Sequence, residues 1–341
     1  MKIGDTTASY ISYLLESAVT LGASVDRLLA DAELNPRELL DGDNRIDLTY
    51  LMRLGYGAIR QTGRPDLGLV LGRQSSMARF GHAGLAAMTA PTLGDALEIL
   101  TKYEPLQGRC YRGSSRLTRA GQQTQLEFYS IAPYNDYTYF VVDAVLGGWY
   151  QFIQWITGRQ DLVSQVLIEF STPNYYEAYS EAFPCGVRFH QEINALVLKP
   201  GALATPLVHS DPTLNANLLR TCDELLSQVA MADSYRNKVL KVLGTMLHGK
   251  TPSIEEVAHQ LCSPPCTLRR TLKDEYTAYQ NLVDEMRKDV ALSYMKNTEL
   301  SFGEIAYLLG FSTPGAFQRA FKRWAGTTPG EYRKSLEIQR K

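Results

Sequence analysis

The spacing of apolar residues changes along the chain, and each change predicts a different kind of element. Over the first hundred residues the period is helical. "ASYISYLLESAVTLG" ends in Gly22, suited to a C-cap, and "SVDRLLADAEL" opens on Ser24, suited to an N-cap. "DLTYLMRLGYGAIRQTG" has Asp47 in front and Gly63 behind. In "PTLGDALEILTKY" Thr92 is followed three residues later by Asp95, a capping-box spacing, and Leu93, Ala96, Leu97 and Leu100 share one face. The pattern then alternates. "LQGRCYRG" and "TQLEFYSI" predict strands, the second with Leu126 and Phe128 opposite Gln125, Glu127 and Tyr129. A long apolar helix is predicted from about Asp136 to Ile156, then strands at "SQVLIEF" and "NALVLKP" around a short helix near Tyr175–Phe183. Residues 1–205 are thus predicted to form an α+β domain with a small sheet. "PGALATPLVHSDP" has the composition of a linker or extended arm, which places a linker region at 206–230. From 231 to 341 the pattern is helical, predicting an all-α C-terminal domain.

A repeat organises that last part. "SIEEVAHQL" (253–261) and "SFGEIAYLL" (301–309) lie 48 residues apart. Each opens with Ser and has Glu three positions later, Glu256 and Glu304. That pairing predicts a reciprocal cap, with the Ser side chain accepting from the Glu N–H and the Glu reaching back. Ile254, Val257, Ala258 and Leu261 correspond to Phe302, Ile305, Ala306 and Leu309, one helical face in each copy. After a short break Leu268, Arg270, Leu272 and Lys273 correspond to Phe317, Arg319, Phe321 and Lys322, now one residue further apart. Each copy is a helix, a turn of about four residues, and a second helix with an apolar pair and basic neighbours: a helix-turn-helix, twice. Between them, Leu282, Met286, Val290 and Tyr294 recur every four residues in "NLVDEMRKDVALSYMKN". A helix of about 15 residues there is roughly 22 Å long. Held side by side, two such units reach successive major grooves, which recur about every 34 Å on one face of B-DNA.

Charge and composition change this picture little. The net charge is −1, with no overall basic signature for nucleic acid. Residues 251–341 carry 13 Lys+Arg against 11 Asp+Glu. The basic bias is clearest at the end, where Arg319, Lys322, Arg323, Arg333, Lys334, Arg340 and Lys341 face Glu331 and Glu337. The start predicts no signal peptide. The most apolar segment, "YFVVDAVLGGWYQFIQWI", contains Asp143, two glutamines and a Gly pair and is too polar to span a bilayer. A cytoplasmic location with no membrane partner is expected.

Other residues invite chemistry. Phe128, Tyr129, Tyr134, Tyr137, Tyr139, Phe140, Trp149, Tyr150, Phe152 and Trp155 cluster in sequence. They fit either a packed core with a dimer face or a pocket for a small apolar or amphipathic ligand. In "LCSPPCTLRR" (261–270), His259, Cys262 and Cys266 have donor types for zinc but no fourth ligand nearby. Arg269, Arg270 and the helix start could lower the Cys266 pKa and make a redox switch, or both cysteines could simply pack. The five cysteines are too scattered for a disulfide scaffold. There is no Gly-rich phosphate loop and no HExxH, and the five histidines form no obvious site, so no enzyme, cofactor or metal is expected. The competing function is a metabolite-binding or redox-responsive protein, the latter through Cys262 and Cys266, whose helical tail makes protein contacts.

"IAYLLGFSTPGAFQRAFKRWAGTTPGEYRKS" (305–335) resembles the C-terminal signature of AraC/XylS-type bacterial transcription regulators. The resemblance lies in the Ile-Ala start, Gly310-Phe311, Phe317, Arg319-Ala320-Phe321-Lys322, Trp324, Gly326, Pro329 and Tyr332-Arg333, and the region from about 233 fits. "HAGLAAMTAPTLGDALEILTKYEPL" and "FPCGVRFHQEINALVLKPGALATPLVHSDPTL" are similar to a subgroup with an arabinose-binding-like N-terminal domain, which includes ornithine-utilisation and virulence regulators.

The resemblance implies a dimeric transcription factor that binds double-stranded promoter DNA and contacts RNA polymerase. Its N-terminal domain would dimerise or sense a small-molecule effector. The first recognition helix, about Pro265 to Glu275, would carry base-facing Cys266, Thr267, Arg269 and Arg270, with Lys273 beyond. The second, about Pro314 to Arg323, would carry Pro314, Gly315, Ala316 and Arg319, with Gln318, Lys322 and Arg323 beside them. The residues agree on the arginines: Leu268, Leu272, Phe317 and Phe321 must face inward, which turns Arg269, Arg270 and Arg319 outward. Arginine reads guanine bidentately or binds phosphate. The chain departs from the family where Cys262 and Tyr276 stand for glycine, Pro264 for a polar N-cap and Cys266 for a polar residue. Cys262 must then accept a turn suited to glycine, and Ser263 is the candidate for a displaced cap.

Overall fold

The computed structural model describes residues 4–75, 80–110, 115–120, 123–128, 139–232, 234–247, 250–297 and 300–339. Tyr129, Tyr134, Tyr137, the helix start near Asp136, the ends of the two predicted strands, His248, Arg340 and Lys341 lie outside them.

The chain opens on a strand that the helical reading did not anticipate. β1 (Gly4–Thr7) pairs antiparallel with β2 (Arg45–Asp47) and β3 (Gly108–Cys110). "GDTT" carries no apolar alternation, yet all four residues are buried. Asp5 is tolerated there because the Arg45 Nε donates to it at 2.7 Å, while another guanidinium nitrogen donates to the Leu106 carbonyl at 2.9 Å. Six helices follow the chain around this sheet: α1 (Ala8–Thr20), α2 (Val25–Ala32), α3 (Leu48–Thr62), α4 (Leu67–Gln74), α5 (Gly81–Thr89) and α6 (Leu93–Gln107). Their ends match the local signals. Ser24 and Asp47 cap α2 and α3, Gly63 ends α3 at φ 65, and Thr92 with Asp95 forms a complete capping box on α6.

The second sheet has the order β4-β5-β8-β6-β7, formed by β4 (Arg116–Ala120), β5 (Gln123–Phe128), β6 (Val163–Leu167), β7 (Val187–Arg188) and β8 (Asn194–Leu198). Only the β6–β7 pair is parallel. β8 is buried along its whole length, with Leu196 opposite Leu126 on one side and Val166 on the other. α7 (Tyr139–Thr157) is the expected apolar helix, and α8 (Tyr176–Ala182) the expected short one. A Cβ on Gly72 of α4 would lie 2.7 Å from the Gly147 Cα of α7, so glycines on both sides set how closely these helices approach. Phe140, Tyr150 and Phe152 are buried in the core, Phe128, Tyr139 and Trp149 half-buried against it, and Trp155 is 49% exposed beside His209. For the described aromatics, packing is the main role.

The stretch expected as a linker is mostly helix. α9 (Pro212–Ala232) seats Leu218, Leu219, Cys222 and Leu226 against the N-terminal core. Asn215 Nδ2 donates to the Ala86 carbonyl at 2.7 Å, and Asp223 accepts from Tyr103 and Lys102 of α6. An apolar face at helical spacing made this an element rather than a tether.

The remaining helices are α10 (Tyr235–Met246), α11 (Ile254–Gln260), α12 (Pro265–Asp274), α13 (Tyr279–Asn297), α14 (Phe302–Leu308), α15 (Pro314–Ala325) and α16 (Pro329–Gln339). They build two small cores. Val239, Leu240, Leu243, Ile254, Val257, Leu268 and Leu272 pack with Leu282, Val283 and Met286. Ile305, Ala306, Leu309, Phe317 and Phe321 pack with Ala291 and Met295. One half of α13 therefore belongs to each unit, and Val290 touches both cores. No helix of the described residues is long and apolar enough to cross a membrane.

Candidate nucleic-acid interface

Both copies of the repeat fold as the sequence predicts at their starts. Ser253 Oγ accepts from the Glu256 N–H at 3.1 Å and Glu256 accepts from the Ser253 N–H at 2.6 Å. Ser301 and Glu304 repeat this at 3.2 and 2.8 Å. In both pairs these bonds hold the Glu carboxyl below its usual range. The copies differ at the turn. Gly310 sits at φ 69 and its counterpart Cys262 at φ 49, a left-handed conformation that favours glycine. α15 is capped by Thr313 Oγ1, which accepts from the Ala316 N–H at 3.2 Å. α12 begins after Pro264 with no side-chain cap. Ser263 is therefore not the displaced cap expected: it lies one residue outside, and its backbone N–H donates to the Ala258 carbonyl.

Burial of Leu268, Leu272, Phe317 and Phe321 turns the opposite face of each second helix to solvent. On α12 Cys266, Arg269, Arg270 and Lys273 are exposed and Thr267 is half-buried. On α15 Pro314, Gln318, Arg319, Lys322 and Arg323 are exposed, and Gly315 and Ala316 half-buried. All twelve predicted residues thus lie on these two helices. A Cβ on Gly315 would stand 3.6 Å from Arg319 Nη1, an ordinary contact, which shows that the guanidinium lies back along the first turn of α15.

Not every cation is equally available. An Arg269 nitrogen lies 3.2 Å from a Glu255 carboxylate oxygen of α11, and Arg323 reaches Asp284 of α13 at 2.8 Å. Arg270, Lys273, Arg319 and Lys322 make no ion pair among the described residues. Sequence reasoning did not find these carboxylate partners, because pairs 14 and 39 residues apart leave no periodic signal.

It also passed over Arg287, which lies in the quoted linker helix. Its guanidinium donates to the Leu309 and Gly310 carbonyls, each at 2.9 Å, and to Thr251 Oγ1, and it stacks 4.3 Å from the centre of the Phe311 ring. Arg236 of α10 donates to both oxygens of Glu285 of α13 at 2.6 Å. These contacts fix both units on one helix. At 19 residues it is longer than predicted, roughly 28 Å at 1.5 Å per residue.

Cys262 and Cys266 are exposed free thiols. Among the described residues no group of three or more His, Cys, Asp or Glu could hold a metal ion, and His259 with the two cysteines is no exception.

Comparison with known proteins assigns both halves. Residues 22–207 match the family described as the arabinose-binding domain of AraC transcription regulator, N-terminal, and residues 257–335 match a helix-turn-helix domain family. The ornithine utilization regulator of Pseudomonas aeruginosa is 28% identical over 328 residues, 96% of each chain. The HTH-type transcriptional regulator VirS of Mycobacterium tuberculosis is 24% identical over 314 residues, 92% of each. The crystal structure of the transcriptional regulator CdpR from P. aeruginosa, at 24% identity, aligns with a TM-score of 0.43 over 91% of this chain and 96% of that one.

Proposed function

We propose that this chain, which belongs to the AraC transcription-regulator family with an arabinose-binding N-terminal domain and is a DNA-binding regulator, reads its operator with α12 and α15 in successive major grooves. The observation that carries this is the pair of outward faces set on one shared helix, each exposing cations that form no ion pair among the described residues: Arg270 and Lys273 on α12, Arg319 and Lys322 on α15. Arg270 and Arg319 are assigned to base edges. Lys273, Lys322 and Arg323 are assigned to phosphates, and Arg269 joins them when it leaves Glu255. Cys266, Thr267, Pro314, Gly315, Ala316 and Gln318 line the same faces and supply close backbone, methyl or amide contacts. The uncapped α12, with its cysteine at the turn, is the less specific reader.

The N-terminal unit, about 1–205, is assigned to dimerisation and small-molecule sensing, the 206–230 stretch including most of α9 to connection, and 231–341 to DNA. Activation through RNA polymerase is the proposed output. The name of the Pseudomonas relative makes ornithine the first effector to try. The relatives are transcription regulators, and no catalysis is assigned.

The test begins by mapping DNA bound by the full chain across its genome, then measuring binding to the recovered duplexes by fluorescence anisotropy. Affinity falls steeply with salt, and Arg319→Ala and Arg270→Ala each cost about 1–3 kcal/mol on the recovered site but much less on unrelated DNA. Equal binding of wild type and both variants to every duplex overturns the assignment.

A further inference from the structure

We infer that Arg287 is the positioning residue that sets the two recognition helices at one fixed distance and angle, and that it thereby makes the protein selective for the number of base pairs between the two halves of its DNA site. This rests on the reading that α12 and α15 each enter a major groove. Two small units of one chain move relative to each other by default unless the interface between them is large and apolar. Here the two apolar cores are separate, and among the described residues Val290 alone packs against both. Packing on the common helix therefore restrains the units without fixing them.

Polar contacts make the join, and they gather on one turn of α13. The half-buried Arg287 guanidinium donates to Thr251 Oγ1, in the segment that leads into α11 of the first unit. It also donates to the Leu309 and Gly310 carbonyls at the turn of the second unit, each at 2.9 Å, and lies 4.3 Å from the ring centre of Phe311. A planar fork of five N–H donors holds several acceptors in set directions, which a lysine ammonium does not. The neighbouring side chains extend the clasp. Glu285 accepts from Arg236 of α10 at 2.6 Å, and Asp284 accepts from Arg323 of α15 at 2.8 Å. One turn of α13 thus holds a helix of the first unit and the recognition helix of the second.

The two loops that Arg287 joins also touch each other. A Cβ on Gly310 would stand 2.9 Å from the Thr251 nitrogen and 3.0 Å from the Lys250 carbonyl carbon, so no side chain fits between them. The Gly310 turn leads directly into α15, and movement at this junction is carried into the recognition helix. The consequence is geometric. One base pair added or removed between the halves of a site shifts them by ~3.4 Å and turns them by about 35°. A hinged pair of units absorbs that change, whereas a clasped pair loses one set of contacts.

The experiment is fluorescence anisotropy of the full chain on the tightest duplex recovered by genome-wide mapping, and on the same duplex with one base pair inserted or deleted between its two footprinted halves. Wild type binds both altered duplexes at least about tenfold more weakly, because base contacts in one half are lost. Arg287→Met binds all three within about threefold of one another, because pivoting units keep both sets of contacts. Arg287→Lys falls between. Poor folding alone lowers the active fraction and leaves the ratio between duplexes unchanged, so the ratio reports positioning. Asp284→Asn loosens the α15 side of the clasp and lowers the same ratio; with Arg287→Lys it carries the test if Arg287→Met does not fold. Wild-type tolerance of the altered spacings overturns the inference. So does a wild-type ratio in Arg287→Met, or in both other variants where that one does not fold. Arg270→Ala and Arg319→Ala separate this from the reading beneath it. If either weakens binding while the spacing ratios stay equal in wild type and the clasp variants, the positioning role alone falls. If neither weakens binding, α12 and α15 are not the readers and both conclusions fall.

Discussion

The guanidinium of Arg287 donates to the carbonyl of Gly310 at 2.9 Å, and through that bond the shared helix α13 grips the turn of the second helix-turn-helix. The same side chain holds Leu309 O at the end of α14 and Thr251 Oγ1 just before α11. A cation at the carbonyl end of α14 also complements the helix dipole. Burial lowers its pKa, but arginine remains charged. Arg287→Met keeps much of the stem and removes every donor. We expect a loss of about 2–4 kcal/mol, read as a lower urea midpoint for the C-terminal unit, with Arg287→Lys intermediate. A midpoint equal to wild type would mean that this link contributes nothing.

The two non-glycine residues that take glycine's place are a liability. Cys262 and Tyr276 have φ of 49 and 56, and Tyr276 is fully exposed. Cys262→Gly and Tyr276→Gly each remove left-handed strain of about 1–2 kcal/mol, partly offset by greater freedom of the unfolded chain. Thermal melts should show each variant slightly more stable. Gly310→Ala should go the other way, because its new Cβ would also lie 2.9 Å from the Thr251 nitrogen.

Asp143 is expected to make the stability of the N-terminal unit depend on pH. It is fully buried in α7, accepts from the hydroxyls of Tyr179 at 2.6 Å and Tyr175 at 2.9 Å, and burial raises its pKa to about 7. In the unfolded chain it titrates near the ordinary carboxylate value of about 4. The folded state therefore holds the extra proton between those values, and stability falls as pH rises from about 4 to 7. Asp143→Asn removes this dependence. Its stability relative to wild type should improve by roughly 2–3 kcal/mol between pH 5 and pH 8. Chemical denaturation at the two pH values checks this, and parallel behaviour of the two proteins would refute it.

Glu255 pairs with Arg269, and if Arg269 contacts DNA as proposed the carboxylate competes for it. The pair is exposed on both sides, so Glu255→Gln should change folding stability by no more than about 0.5 kcal/mol. It frees a cation and removes a negative charge beside α12. Duplex affinity should rise roughly two- to fivefold at low salt and converge with wild type at high salt. Unchanged affinity at every salt concentration would remove Arg269 from the interface.

What could be read without a structure shares one property: it is local. Ser253 with Glu256, Ser301 with Glu304 and Thr92 with Asp95 are capping pairs three residues apart. Leu268 with Leu272 and Phe317 with Phe321 are one helical turn apart. Such signals predicted both helix-turn-helix units, the shared helix and the outward arginines; the left-handed turn at Cys262 was implied only by the resemblance to a family that has glycine there. The capping signal failed only at Ser263, where two prolines shift the helix start past the candidate cap.

Tertiary structure decided whatever joins distant residues. β1 is a strand because Asp5 meets Asp47 and Arg109, not because of any pattern in "GDTT". The expected linker became α9 because the cleft over α5 and α6 offers its apolar face a partner. Glu255 and Asp284 hold two of the predicted DNA-facing arginines, and Arg287 binds the two units, through contacts 14 to 39 residues apart. The sequence alone determined which faces exist, since side-chain period and caps act within a turn or two of helix. Which charges on those faces are free, and which buried groups lack a partner, depends on neighbours that only chain folding brings within a few ångströms.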